Sequence, residues 1–183
     1  FSTLSLFLLL YSLALNLRSL LQEVDKLHKS TKLLLFSILL LTLLLYFKMS
    51  PRIHTDVGNE VDYIELGKNI VLRGEAILTS TDVAGYGFFP YQPTAWASIL
   101  SIVFLVGGSI KETFTVSSIL TSLTVVPIFI ISYFITRDEV VSLLSSFIFS
   151  IIPGIIIYAG TIHPNASSLF FVSLFFLSLY AYK

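Results

Sequence analysis

Charge is placed in this chain in a way that few folds tolerate. Ionisable residues fall in a few short windows, and between them lie long tracts without a single Asp, Glu, Lys or Arg. Five such tracts are Phe1–Leu17, Leu33–Phe47, Phe114–Thr136, Val140–Gly160 and Ala166–Tyr182. Crossing the hydrocarbon of a bilayer takes about 20 predominantly apolar residues. Leu33–Phe47 is short, but Lys32 and Lys48 at its flanks can snorkel to the two interfaces. A sixth tract, Thr94–Ile110, is ambiguous: it is apolar but contains Gly107, Gly108 and several serines. Only 12% of the 183 residues are charged, about half the share usual in a water-soluble domain of roughly 25%. These patterns predict an all-α, polytopic transmembrane helical bundle, an integral membrane protein. The chain begins at Phe1 and its last apolar run stops at Lys183, so a piece of a longer membrane protein is expected.

Balanced charge removes other classes. Eleven basic residues face eleven acidic ones, which leaves no excess to neutralise phosphates, so no nucleic-acid partner is expected. Cysteine is absent, which excludes disulfides and thiolate metal sites. A secretory signal is a poor account of Phe1–Leu17, which lacks a basic start and is soon followed by a second apolar tract. Ser and Thr recur in every tract, where they can return hydrogen bonds to the helix backbone and let helices approach. Pro127 and Pro153 fall inside predicted spans, where kinks are tolerated when neighbours satisfy the freed carbonyls.

Orientation follows lysine and arginine in short connections. The window Leu17–Lys32 holds Arg18, Lys26, Lys29 and Lys32 against Glu23 and Asp25, so it is expected to be cytoplasmic. The window Lys48–Pro93 holds four basic and six acidic residues and is expected to face outward. Loops of that length are uncommon and often functional. Within it, Tyr63, Ile64, Gly67, Ile70 and Val71 recur at helical spacing beside Glu65, Lys68 and Asn69, which predicts a helix over Val61–Leu72 ended by Arg73-Gly74. Thr79–Pro93 reads as a surface loop, with Phe88, Phe89, Tyr91 and Trp96 suited to an interfacial aromatic belt. Tyr86 and its aromatic neighbours suit anchoring better than stacking on a sugar.

The residues with chemical potential lie in that window. Asp56, Glu60, Asp62 and Glu65 follow the second apolar tract closely. Glu60 is expected just before the helix, and Asp62 in its first turn. The plain account is a solvated helix start favoured by the macrodipole. The functional account is a carboxylate at the membrane–water boundary that deprotonates an acceptor, with Asp56 as the alternative base. Lys68 and Arg73 suit a lipid phosphate or simple interfacial snorkelling. His163 and His54 are lone histidines with weaker claims, and His28 is expected to be solvated. Asn165-Ala166-Ser167 fits a glycosylation sequon but lies too close to the next span to serve well. No phosphate-binding glycine loop, zinc signature or nucleophile elbow is present.

The segment NEVDYIELGKNI, Asn59 to Ile70, resembles the first-loop motif of GT-C glycosyltransferases, most of all the dolichyl-phosphate-mannose–protein mannosyltransferases and the aminoarabinose transferases. That pattern is an Asp-Glu pair, a Tyr three residues after the Glu, then a small residue and a basic one on a helix. Glu60, Tyr63, Gly67 and Lys68 match, and Asn59 stands where the family usually has Asp. YQPTAWASILSIVFLVGG resembles the family's next apolar helix, and the tract from Thr113 to Gly160 resembles its next two spans. His163-Pro164-Asn165 falls where an Arg-Pro-Asp-like turn is common, again with Asn for Asp. The resemblance covers residues 33 to 183, with residues 1–32 as an upstream span and cytoplasmic linker, and an outer loop over 48–111 that contains juxtamembrane helices.

The resemblance implies a membrane glycosyltransferase that moves a sugar from a polyprenyl-phosphate donor to a protein, lipid or glycan acceptor, with inversion and no cofactor. Glu60 or Asp56 would be the catalytic base, with Asn59, Tyr63, Lys68, His163 and Asn165 binding substrate. The related oligosaccharyltransferases hold a divalent metal with an Asp-x-Asp in a later outer loop; this chain has Asn165-Ala166-Ser167 there, so no metal site is expected. The resemblance also implies that Thr94–Ile110 stays on the outer side, giving five crossings where hydropathy favours six. Arg137-Asp138-Glu139 would then be cytoplasmic, and Ile162–Asn165 would face outward with Glu60. The expected location is a prokaryotic plasma membrane. Alternatives are an oligosaccharyltransferase-like subunit, a non-catalytic membrane homologue, for which Asn59 and Asn165 speak, and a transporter fragment. The near-absence of charge inside the spans argues against transport.

Overall fold

The structure is a computed structural model, and it describes residues 3–50, 57–78 and 94–181; side chains are described from residue 11 onward, apart from residues 13, 17, 19, 57–59, 94, 166 and 181. Almost all of the described chain is helical: α1 Thr3–Asp25, α2 Lys29–Met49, α3 Val57–Arg73, α4 Thr94–Leu105, α5 Ile110–Leu123, α6 Val125–Thr136, α7 Glu139–Ser150, α8 Pro153–Ala159 and α9 Pro164–Ala181. Two helical stretches are long and apolar enough to cross a membrane, Lys29–Met49 and Ile110–Thr136. A third is reached if α7 and α8 count as one broken span. By length and composition these helices are compatible with an integral membrane protein.

The breaks in these rods have local causes. α5 and α6 together run as one 27-residue stretch, interrupted only at Thr124. Pro127 cannot donate to the carbonyl four residues back, that of Leu123, and α5 ends at that residue. The tract predicted as one span over Val140–Gly160 is instead bent by 59° between α7 and α8. Pro153 opens α8 and holds Ile152 in an extended conformation, with φ −64° and ψ 119°. The serines and threonines act as the sequence predicts: Thr42 donates to the carbonyl of Ile38 at 2.7 Å and Thr121 to that of Ser117 at 2.8 Å. Others join helices: Ser146 donates to the carbonyl of Val125 at 3.2 Å, and Ser132 and Ser145 share a 3.2 Å hydrogen bond between α6 and α7.

Two sets of polar contacts define the two ends of the bundle. At one end, Glu139 accepts from the backbone N–H of His28 at 3.3 Å, pairs with its Nδ1 at 2.9 Å and takes a hydrogen bond from the Thr31 hydroxyl. Arg137 Nη1 lies 3.4 Å from Glu23 there. The start of α2 and the turn between α6 and α7 therefore share one end. At the other end Ser50 Oγ donates to the carbonyl of Ile157 at 3.2 Å, and Ser118 Oγ to that of Ala159 at 3.1 Å. The chain leaves α2 at the Ser50 end, and the α5–α6 rod returns it to the His28 end. α4, with its 12 residues, spans roughly 18 Å at 1.5 Å per residue, well short of a hydrocarbon core of about 30 Å. It stays at the Ser50 end.

Several boundaries move relative to the sequence expectation. α1 runs on to Asp25, so half of the window read as a linker continues the first helix. α3 begins at Val57 rather than Val61, which puts Glu60 in its first turn, where a carboxylate complements the helix dipole. Asp62 accordingly falls in the second turn. The stop is as expected: Gly74 adopts φ +74° and donates to the carbonyl of Ile70 at 3.1 Å.

Candidate functional site

The Ser50 end is covered by α3 and α4. Their shared core is Tyr63, Ile64, Leu66, Leu78, Trp96, Ala97 and Leu100, joined by Phe114 of α5 and Ile162. Gly67 makes their close approach possible. A Cβ there would lie 3.2 Å from Phe104 Cε2 and 3.3 Å from the carbonyl oxygen of Ala97. The small residue of the motif is thus a packing requirement between two helices. Trp96 is also a core residue, not the interfacial anchor expected of it. Its ring is buried and its Nε1 donates to the carbonyl of Ile162 at 2.6 Å, because a buried indole N–H needs an acceptor.

Glu60 is the largest departure from expectation. It is fully buried, at 0% exposure, rather than solvated at a helix start or at a wet rim. A carboxylate removed from water persists only where neighbouring groups hydrogen-bond or pair with it, and Glu60, Asp62 and Glu65 do each make polar interactions. Asp62 and Glu65 are half-buried. Tyr63, three residues on, is buried in the α3–α4 core.

The motif's cation points elsewhere. Lys68 is exposed, with its ammonium 5.7 Å from the centre of the Phe104 ring. Arg73 is exposed at the far end of α3. Asn69, placed by its spacing beside the apolar stripe, is instead buried, and its Nδ2 donates to the carbonyl of Ile77 at 2.7 Å. It fastens the chain after Gly74 back onto α3, a role invisible in sequence because the partner is a backbone carbonyl.

His163 follows Ile162, so it sits at the end of the bundle that Tyr63 and Trp96 occupy. It is half-buried, and its Nδ1 accepts the backbone N–H of Asn165 at 3.4 Å. Asn165 is exposed at the start of α9, where its carbonyl accepts from Ser168 at 2.8 Å. Glu60, Tyr63 and His163 are thus gathered at one end, whereas Lys68, Arg73 and Asn165 lie on its outside. Asp56 and His54, with Tyr86, Phe88, Phe89 and Tyr91, lie outside the described residues, as does the side chain of Asn59.

The described surface carries, among its clefts, two with largely apolar walls. One, of about 650 Å³, lies between the end of α4 and the start of α5, lined by Ile102, Val103, Val106, Ser109, Glu112 and Val116 among others. The second, of about 370 Å³, runs between α6 and α9, from Thr124 and Leu169 to Ile135 and Tyr180. Glu60 lines neither. Among the described residues, no three His, Asp or Glu side chains come together as a metal site.

No protein-family model, curated protein or solved structure matches this chain.

Proposed function

We propose that this chain is the amino-terminal part of a membrane glycosyltransferase that uses a polyprenyl-phosphate sugar, with Glu60 as its base. The observation that carries the proposal is the placement of Glu60: a buried carboxylate on α3, at the end of the bundle that also holds the His163 turn. A carboxylate that folding removes from water must be held by polar partners, and it stands here at the position where the resemblance expects the base. In the reaction, Glu60 takes the proton of an acceptor hydroxyl as its oxygen attacks the anomeric carbon. The bond from that carbon to the phosphate oxygen breaks on the opposite face, which inverts the configuration and releases the polyprenyl phosphate. Cations near the phosphate stabilise the leaving group; Lys68 and Arg73 are exposed at that end. Glu60 is buried in this arrangement, so the reaction requires that it become accessible to the acceptor hydroxyl. The acceptor is a protein, lipid or glycan at the outer face of the membrane.

The same burial favours a second reading, a non-catalytic membrane protein in which Glu60 is a structural polar group of the α3–α4 cap. Glu60→Gln separates the two. The full-length variant is assayed for sugar transfer from a lipid-linked donor, alongside its thermal stability. Catalysis by Glu60 predicts transfer reduced by about 100-fold or more with a folded protein. Transfer at the level of the unmodified protein removes Glu60 from the role, and loss of folding assigns it to the cap.

A further inference from the structure

The cleft between α4 and α5 has walls and a lip of opposite character. Its walls are Ile102, Val103, Val106 and Val116, and its lip is Ser109 and Glu112. The α4 edge of this wall faces out of the protein: Ile102 is 60% exposed and Val106 77%. The cleft begins where the apolar stretch Ile110–Thr136 begins. In a chain that spans a membrane this is the boundary between headgroups and acyl chains. From Ile110 to Val116 the rod descends roughly 9 Å into the hydrocarbon at 1.5 Å per residue. A volume of about 650 Å³ falls in the range of roughly 300–1,000 Å³ typical of small-ligand sites.

The lip carries a defined charge pattern. Ser109 N–H donates to Glu112 Oε2 at 2.7 Å, and the Ser109 hydroxyl bonds the same oxygen. This capping box fixes the carboxylate on the cleft, where it stays exposed. Lys111 is exposed beside it. A cation and an anion on adjacent residues at headgroup depth complement a headgroup that carries one anion and one cation.

We infer that this cleft holds an acyl chain of a zwitterionic phospholipid, with its primary ammonium on Glu112 and its phosphate on Lys111. The inference rests on Ile110–Thr136 crossing the membrane and is independent of sugar transfer. An anionic lipid offers no cation to Glu112, so its phosphate adds a net negative charge beside that carboxylate. The site is therefore selective for an ethanolamine headgroup over glycerol.

The test is native mass spectrometry of the full chain, released from micelles that contain equal amounts of dioleoyl phosphatidylethanolamine and dioleoyl phosphatidylglycerol. The expected result is a one-to-one lipid adduct enriched several-fold in phosphatidylethanolamine. Glu112→Gln removes the charge yet keeps the capping box, in which Gln serves as well as Glu; it should abolish the enrichment and leave an adduct. Ile102→Ser with Val106→Ser, both at exposed positions, should reduce the adduct by about tenfold. The inference is overturned by equal retention of both lipids, by preference for phosphatidylglycerol, by the absence of an adduct, or by an adduct that survives the double substitution. Should that double variant fail to fold, the headgroup preference of the unmodified protein and of Glu112→Gln still decides.

Discussion

The indole N–H of Trp96 donates to the carbonyl of Ile162 at 2.6 Å, across 66 residues of chain. This bond ties the first turn of α4 to the turn that carries His163, and so sets the α3–α4 cap against α5 and α9. Trp96→Phe keeps most of the ring's packing but leaves the Ile162 carbonyl without its donor in a buried setting. An unsatisfied buried polar group costs about 1–3 kcal/mol. Thermal unfolding of the full chain in detergent should show that loss. A midpoint unchanged by Trp96→Phe would mean that the cap is held by packing alone.

The α3–α4 interface gives a sharper contrast between two glycines. Gly67→Ala gains helix propensity of about 1 kcal/mol, but its new methyl would meet the Ala97 carbonyl oxygen at 3.3 Å. A backbone atom of a packed helix cannot retreat as a side chain does. The net effect should be a destabilisation of about 1–3 kcal/mol, the usual range for overpacking. A methyl at Gly154, in α8, would meet nothing within 4 Å beyond its chain neighbours and the backbone of its own helix. Gly154→Ala should therefore be neutral or stabilising by up to about 1 kcal/mol. Equal effects at the two positions would show that Gly67 is not chosen for close approach.

How much of this was legible in sequence depends on the kind of interaction. The helices and the Gly74 stop follow from apolar runs and from backbone chemistry, which are local. The burial of Glu60 and Trp96 is not local. Glu60 stands among polar neighbours in sequence, and its burial is decided only by how the folded chain packs around α3. Asn69 illustrates the same limit, since its partner is the carbonyl of Ile77 rather than a recognisable side chain. The ends of the spans shifted for a related reason. Lys29 and Lys48 extend α2 beyond its apolar tract, because a charged residue can continue a helix while its head returns to water.

The His28 end should respond to acid. A hydrogen bond from Lys26 holds the Glu23 carboxyl below its ordinary range, with the nearby Arg137 acting in the same direction. A carboxyl with a depressed value in the folded state stabilises the fold above its unfolded value of about 4.3. That contribution is lost as pH falls through the folded value. The group is partly exposed, with a side chain 24% accessible, so the effect should stay below about 1 kcal/mol. Unfolding midpoints at pH 7 and pH 3 should differ by less in Glu23→Gln than in the unmodified chain. An identical difference would show that the pairing of Glu23 with Lys26 and Arg137 adds nothing to stability.

Glu139 sets how the two helical stretches long enough to cross a membrane lie relative to one another. Its carboxylate accepts the His28 N–H and the Thr31 hydroxyl, and so serves the start of α2, where His28 makes no cap with its own side chain. An acid supplied from 108 residues away to a helix start fixes α2 and the α6–α7 turn at one end of the bundle. The α2 and α5–α6 rods then run in opposite directions, with α3 and α4 at the far end. The chain has no cysteine, so single cysteines report cleanly on sidedness. Lys29→Cys and Asp138→Cys should react with a membrane-impermeant maleimide from the same side of sealed vesicles, and Arg73→Cys from the opposite side. If Lys29→Cys and Asp138→Cys label from opposite sides, α4 crosses the bilayer and the arrangement of Glu60 with the His163 turn fails with it.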